Sequence, residues 1–225
     1  IAEANRERGL RLVLISGPSS SGKTTTSKRL GVQLRVLGLH PVLVSTDDYF
    51  VNRVDTPLLP DGQYDFDNFD TVDHALLRKD LSRLLKGEEV SVPEYNFTTG
   101  MREYNGKRLS LSDNKVLIIE GIHALNPLLT DSIPVTQKYR IYTSVLTSVS
   151  LDSHNWVPTR DNRLLRRIIR DYNKQAFTAQ ETIRQWKNVC QSEERWILPY
   201  QENADAMFNS ALNIEFAVLR SHAEP

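Results

Sequence analysis

Arg11-Leu12-Val13-Leu14-Ile15-Ser16 passes without a break into Gly17-Pro18-Ser19-Ser20-Ser21-Gly22-Lys23-Thr24, and Leu30, Leu34 and Leu37 follow at helical spacing. A short β-rich run, a Gly/Ser turn and a helix are predicted in that order. The turn fits G-x-x-x-x-G-K-[ST], and strand, turn, helix is the context in which that motif holds phosphates. Its glycines let the amides from Gly17 through Ser19, Ser20, Ser21, Gly22, Lys23, Thr24 and Thr25 turn around an anion at a helix start. Lys23 can neutralise the outer phosphates, and the Thr24 hydroxyl can ligate Mg²⁺. An ordinary Ser/Gly turn is the plainer alternative, and the flanking elements weigh against it.

Outward from this turn the chain alternates β and α. Pro41 to Ser45 reads as a buried strand, and Val72 to Lys86 as a helix with Leu76, Leu77, Leu81, Leu84 and Leu85 inward. Val90 to Phe97 and Arg108 to Leu111 predict a small hairpin, and Lys115 to Glu120 and Tyr139 to Val145 predict further central strands. Asn162 to Lys174 and Ala179 to Trp196 read as helices, Ala206 to Phe208 as a short strand, and Ala211 to Arg220 as a last helix. Between them, residues 51 to 70 show no sustained period and read as a long functional loop. The fold class expected is α/β: a P-loop NTPase with a parallel sheet, helices on both faces, and an inserted hairpin and helical lid. We expect one domain over 1–225, with an acceptor-site insertion at about 51–112 and a lid at about 160–178.

Twenty-eight Lys and Arg balance twenty-eight Asp and Glu, so no net field attracts nucleic acid or an anionic membrane. The longest apolar runs, such as Leu12 to Ile15 and Val116 to Ile119, are too short to span a bilayer. The single cysteine, Cys190, has no partner for a disulfide or zinc site, which points to a reducing, cytoplasmic setting. The charged start Ile1 to Arg8 lacks an apolar signal core. A chain beginning at Ile1 is expected to be a fragment of a longer protein. A homo-oligomer stays open.

The phosphate loop alone does not say what the nucleotide is used for. The Asp-x-x-Gly and Asn-Lys-x-Asp signatures of a GTPase do not occur. Asp47 follows the strand ending at Ser45, beside the phosphate loop, where a carboxylate can orient an acceptor hydroxyl and take its proton. A local Asx-turn is the bland alternative, and it suits Asp48 better. Glu120 ends the strand Val116 to Ile119, where it can hold Mg²⁺ through a water; a structural acid is the competing reading. His123 is a candidate for the acceptor pocket, although a lone His is more often structural. Arg163, Arg166, Arg167 and Arg170 form a stripe opposite Leu164, Leu165, Ile168 and Ile169. It suits a lid closing over a triphosphate, or a solvated helix face.

With these residues assembled, the sequence resembles the uridine kinase family, in the wider group that includes phosphoribulokinase and bacterial pantothenate kinase. The resemblance rests on 17–24 together with Ser-Thr-Asp-Asp-Tyr-Phe at 45–50, Tyr-Asp-Phe-Asp at 64–67, Pro-Glu-Tyr-Asn-Phe at 93–97, Ile-Glu-Gly-Ile-His at 119–123 and Arg-Leu-Leu-Arg-Arg at 163–167. It implies ATP-dependent phosphorylation of the 5′-hydroxyl of uridine or cytidine, with Mg²⁺. It further implies Asp47 as catalytic base, Asp67 as ligand of ribose hydroxyls, and Tyr95 and Phe97 as walls around the base. Tyr49 and Phe50 would flank the same pocket, and Arg163 and Arg166 would be lid residues near the phosphates. Aromatic rings beside a carboxylate suit a nucleoside, whose base stacks and whose hydroxyls donate.

Two departures stand out. Gly100 lies where pyrimidine-specific relatives place a His, which leaves His123 or the Trp156 segment to supply that hydrogen bond. The connection 146–161 is longer than those relatives use. The sequence looks most like a bacterial subgroup carrying a threonyl-tRNA-synthetase-like N-terminal region. Two rival readings remain: a kinase of another small alcohol, such as pantothenate or a sugar phosphate, and an ATP-binding sensor without kinase activity.

Overall fold

The computed structural model describes residues 1–225 apart from 113, 148, 151, 176, 224 and 225, with no side-chain description at 174 and 175. In chain order the elements are α1 (Ala2–Arg8), β1 (Leu12–Ser16), α2 (Lys23–Val36), β2 (His40–Ser45), α3 (His74–Leu85), β3 (Val90–Ser91), β4 (Glu94–Asn96), β5 (Met101–Glu103), β6 (Arg108–Leu109), β7 (Lys115–Glu120), β8 (Lys138–Ser144), α4 (Thr159–Gln175), α5 (Ala179–Trp196), β9 (Ala206–Asn209) and α6 (Glu215–Ala223).

Five strands form one sheet in the order β2-β7-β1-β8-β9, all parallel. Alternation along the central strands divides the core. Leu12, Leu14, Leu117 and Ile119 face one layer with Leu77, Leu81 and Leu84 of α3. Val13, Ile15, Val116 and Ile118 face the other with Leu34 of α2. Both faces are thus covered, which is why these strands are continuously apolar. The register sets Ile15, Ser45 and Glu120 side by side, so the carboxyl ends of β1, β2 and β7 open onto one place. The chain leaves β1 for β2 on one side, while β8 pairs on the other. That divergence makes the crevice in which ligands of such sheets lie.

Several expectations are corrected. Leu37 does not face the core; it lies past the end of α2 and is 61% exposed. The predicted hairpin is two nested antiparallel pairs, β3 with β6 and β4 with β5, because Asn96 and Gly100 close a tight turn inside the longer one. The last helix begins at Glu215 rather than Ala211, since Asn209 and Ser210 are held by bonds to the end of β8. The arginine stripe of α4 is not a solvated face: Arg163 is fully buried, whereas Leu164, Leu165, Ile168 and Ile169 are only half-buried. The short helix α1, which the charged start concealed, places Ile1, Ala2 and Ala4 against the second core layer.

Candidate active site

The turn after β1 has Ser20 at φ 60° and Gly22 at φ 88°, left-handed conformations that aim successive amides to one side. Lys23 opens α2, and its Nζ donates to the carbonyls of Gly17 and Pro18 at 2.8 and 3.1 Å, so the ammonium lies over the loop. Burial depresses its pKa, opposed by the charges of Glu120 and Asp47. Thr24 Oγ1 donates to Glu120 Oε1 at 2.8 Å. A hydroxyl and a carboxylate in contact form a hard-oxygen pair that fits Mg²⁺, which takes few protein ligands beside phosphate oxygens and water. Gly121 follows because nothing larger is accommodated: a Cβ there would stand 1.8 Å from the Thr46 hydroxyl oxygen.

Thr46–Tyr49 forms a 3₁₀ turn capped by Ser45, which accepts from the Asp47 amide. That turn sets Asp47, half-buried, in the crevice. Its carboxyl pKa is pushed up to about 7, by burial first and then by Glu120; Lys23 opposes, and Asp48 and Asp67 add to the rise. Asp67 is also raised by burial, with Arg167, Lys23 and Arg170 pulling it back. Asp47, Lys23, Glu120 and Asp67 are therefore one electrostatic cluster.

Beyond the 3₁₀ turn, Phe50, Tyr95 and Phe97 meet edge to face, with centroids 5.4, 6.3 and 5.1 Å apart. Phe50 and Tyr95 are buried, and Phe97 is 56% exposed. Tyr49 is not with them. It is 1% exposed, and its hydroxyl donates to Asp80 of α3 at 3.2 Å, because the 3₁₀ turn spaces successive side chains about 120° apart and points Tyr49 toward α3. His123 does not line the pocket either. At 1% exposure it stands behind the loop, Nε2–H donating to the Asn68 carbonyl at 3.2 Å, its ring edge-on to Phe69. Burial lowers its pKa to about 4, so it is neutral at pH 7 and supports the segment that carries Asp67. Trp156 is 66% exposed in the bridge Ser150↔Trp156; positions 148 and 151 of that connection lie outside the described residues.

Helix α4 is docked on the phosphate loop. Arg163 Nη1 donates to the Ser19 carbonyl at 3.2 Å, Arg166 Nη1 to the Ser20 carbonyl at 3.3 Å, and Arg167 Nη1 to Ser19 Oγ at 2.9 Å. Arg163 and Arg166 are nonetheless tied to carboxylates, Glu193 of α5 and Glu215 of α6. The arginines whose charge reaches the cluster are Arg167 and Arg170, which influence Asp67 and Lys23. Both pair with Asp171, a fully buried acid. The four-residue spacing from Arg167 to Asp171 was the available signal for this arrangement.

A phosphate loop closing β1 of a five-stranded parallel sheet, with the carboxyl groups of Asp47, Asp67 and Glu120 around Lys23, is the arrangement of a P-loop kinase. Residues 12–215 match the model of the Phosphoribulokinase / Uridine kinase family, and the chain belongs to that family. It is 30% identical over 216 residues to a uridine kinase of Vibrio vulnificus strain YJ016, covering 94% of this chain and 93% of that one. In architecture it is similar to a structure described as a possible uridine kinase from Bacillus stearothermophilus (TM-score 0.57, 21% identity, 89% of each chain). It is also similar to D-glycerate 3-kinase from Cryptococcus neoformans (TM-score 0.52, 14% identity, 89% of this chain and 86% of that one). Among the described residues no helix is long and apolar enough to cross a membrane.

Proposed function

We propose that the protein transfers the γ-phosphoryl group of ATP to the 5′-hydroxyl of a pyrimidine nucleoside. Two observations carry this: Asp47 and Asp67 share one electrostatic cluster with Lys23, and Phe50, three residues after Asp47, meets Tyr95 and Phe97 edge to face, which supplies carboxylates for hydroxyls and rings for a planar base. The uridine kinase relative agrees with this reading.

The 5′-oxygen attacks the γ-phosphorus as its proton passes to Asp47, and the bond from that phosphorus to the β,γ-bridging oxygen breaks, releasing ADP. Lys23 and the loop amides hold the phosphates, while Asp67 accepts from the ribose hydroxyls. Thr24 and Glu120 would hold Mg²⁺, which when bound offsets charge on the phosphates. Arg167 and Arg170 stabilise the transferring group, and α4, docked over the phosphate loop, excludes water.

The test is a panel of acceptors, comprising uridine, cytidine, D-glycerate, pantothenate and a sugar phosphate, assayed with MgATP. Nucleoside 5′-monophosphate should form with kcat/KM at least tenfold above any other class. Phosphorylation of the acidic alcohols alone contradicts the proposal, and ATP binding with no turnover on any acceptor supports the sensor reading.

A further inference from the structure

The 51–70 loop delivers one cation to the aromatic end of the acceptor crevice, and the β4–β5 hairpin fixes it there. The Arg53 amide donates to the Gly100 carbonyl at 2.8 Å, and the neighbouring Asn52 Oδ1 accepts from the Arg102 amide at 3.1 Å. Gly100 has φ +72°, and a Cβ built on it would fall 2.8 to 3.0 Å from the Cβ, Nε and Cζ of Arg53. The Arg53 side chain therefore occupies the volume that a side chain at position 100 would need. Its Nη2 donates to the Phe97 carbonyl at 2.6 Å, and its guanidinium faces the Tyr95 hydroxyl. Two of the three aromatic residues of the cluster thus touch it. Among the described residues it makes no ion pair, unlike Arg163, Arg166, Arg167 and Arg170 of the lid. A guanidinium carries five N–H donors in a rigid plane, so donors stay free on a fork that the hairpin has already oriented.

We propose that Arg53 reads the end of the acceptor remote from its reacting hydroxyl and selects an edge with two adjacent hydrogen-bond acceptors, making cytidine the preferred nucleoside over uridine. This rests on the nucleoside reading above. The fork donates two parallel N–H groups and matches adjacent acceptors. Cytosine presents N3 and O2 side by side. Uracil interrupts its two carbonyls with the N3–H donor, which would oppose the fork. The preference is therefore a matter of hydrogen-bond polarity rather than size, and a donor facing a donor is penalised where neither can turn to water.

The test compares kcat/KM for cytidine and uridine in the wild type, Arg53→Leu and Arg53→Lys, with thermal melts of each. The wild type should prefer cytidine by about ten- to a hundredfold, the range a bidentate contact to a base supports. Arg53→Leu should lower kcat/KM for cytidine at least tenfold more than for uridine, chiefly through KM. Arg53→Lys keeps the charge without the fork and should lose most of the preference too. A wild-type preference for uridine overturns the proposal while leaving the nucleoside reading standing. So does an equal loss on both nucleosides, since a residue that only braces the hairpin would act that way. Turnover of D-glycerate with none on either nucleoside removes the nucleoside reading itself, and cytosine selection with it.

Discussion

At the residue scale, Asp47 is costly to ionise where it stands, because burial and Glu120 both oppose its charge and Lys23 only partly compensates. The deprotonated form is the one that takes a proton from an alcohol, so kcat/KM should rise with pH up to about 7 and then level off. Asp47→Asn should lower kcat by about 10²–10⁴-fold and remove that limb, while the dissociation constant for ATP changes little. A pH profile with the limb intact in the variant would reassign the base.

The same shift has a consequence for stability. The folded carboxyl holds its proton up to about pH 7 and the unfolded one only to about 4, so this group makes folding less favourable as pH rises through that window. Asp47→Asn is therefore expected to melt higher than wild type at pH 8 and equal to it near pH 4, with about 2–4 °C gained per kcal/mol recovered in a chain of this size. Scanning fluorimetry at both pH values checks the sign.

At the scale of elements, α4 is anchored by buried charge, its apolar residues Leu164, Leu165, Ile168 and Ile169 being only half-buried. Arg163 and Glu193 pair at 2.6 Å with side chains 0% and 7% exposed, and Arg163 also lies 5.4 Å from the Trp186 ring centroid. Removing one partner strands the other, so Glu193→Ala should cost about 3–5 kcal/mol in urea unfolding. The double change Arg163→Met with Glu193→Leu should recover most of that loss, because two apolar side chains leave no charge unsolvated. If both variants unfold alike, the pair does not stabilise the α4–α5 contact. At the head of α5, Thr178 and Glu181 form a reciprocal capping box, and Thr178→Ala should cost about 1 kcal/mol.

At the scale of the whole molecule, α4 crosses from the phosphate loop to α5 and α6, so a nucleotide held at that loop is expected to tie the sheet to these helices. A non-hydrolysable ATP analogue with Mg²⁺ at a hundred times its Kd should add about 2.7 kcal/mol of stability. Lys23→Ala should abolish most of that increment, since it removes the cation over the loop. A variant that keeps the full increment would show that the phosphates do not bind at this turn.

What was legible from residues alone was whatever depends on local order along the chain. The strand, turn and helix around Gly17 to Thr24, the parallel α/β pattern, and the placing of Asp47 and Glu120 at strand ends all follow from periodicity and from motifs whose geometry is contained in a few consecutive residues. The fates of Tyr49, His123, Arg163 and Arg53 were not legible, because each depends on a partner distant in sequence: Asp80, Asn68, Glu193 and the Phe97–Gly100 turn. An aromatic or charged residue is compatible with core, pocket or surface until packing assigns its neighbours. Only the tertiary structure turned Tyr49 away from the crevice and brought Arg53 into it, since the volume left free at Gly100 exists only once the loop and the hairpin are pressed together.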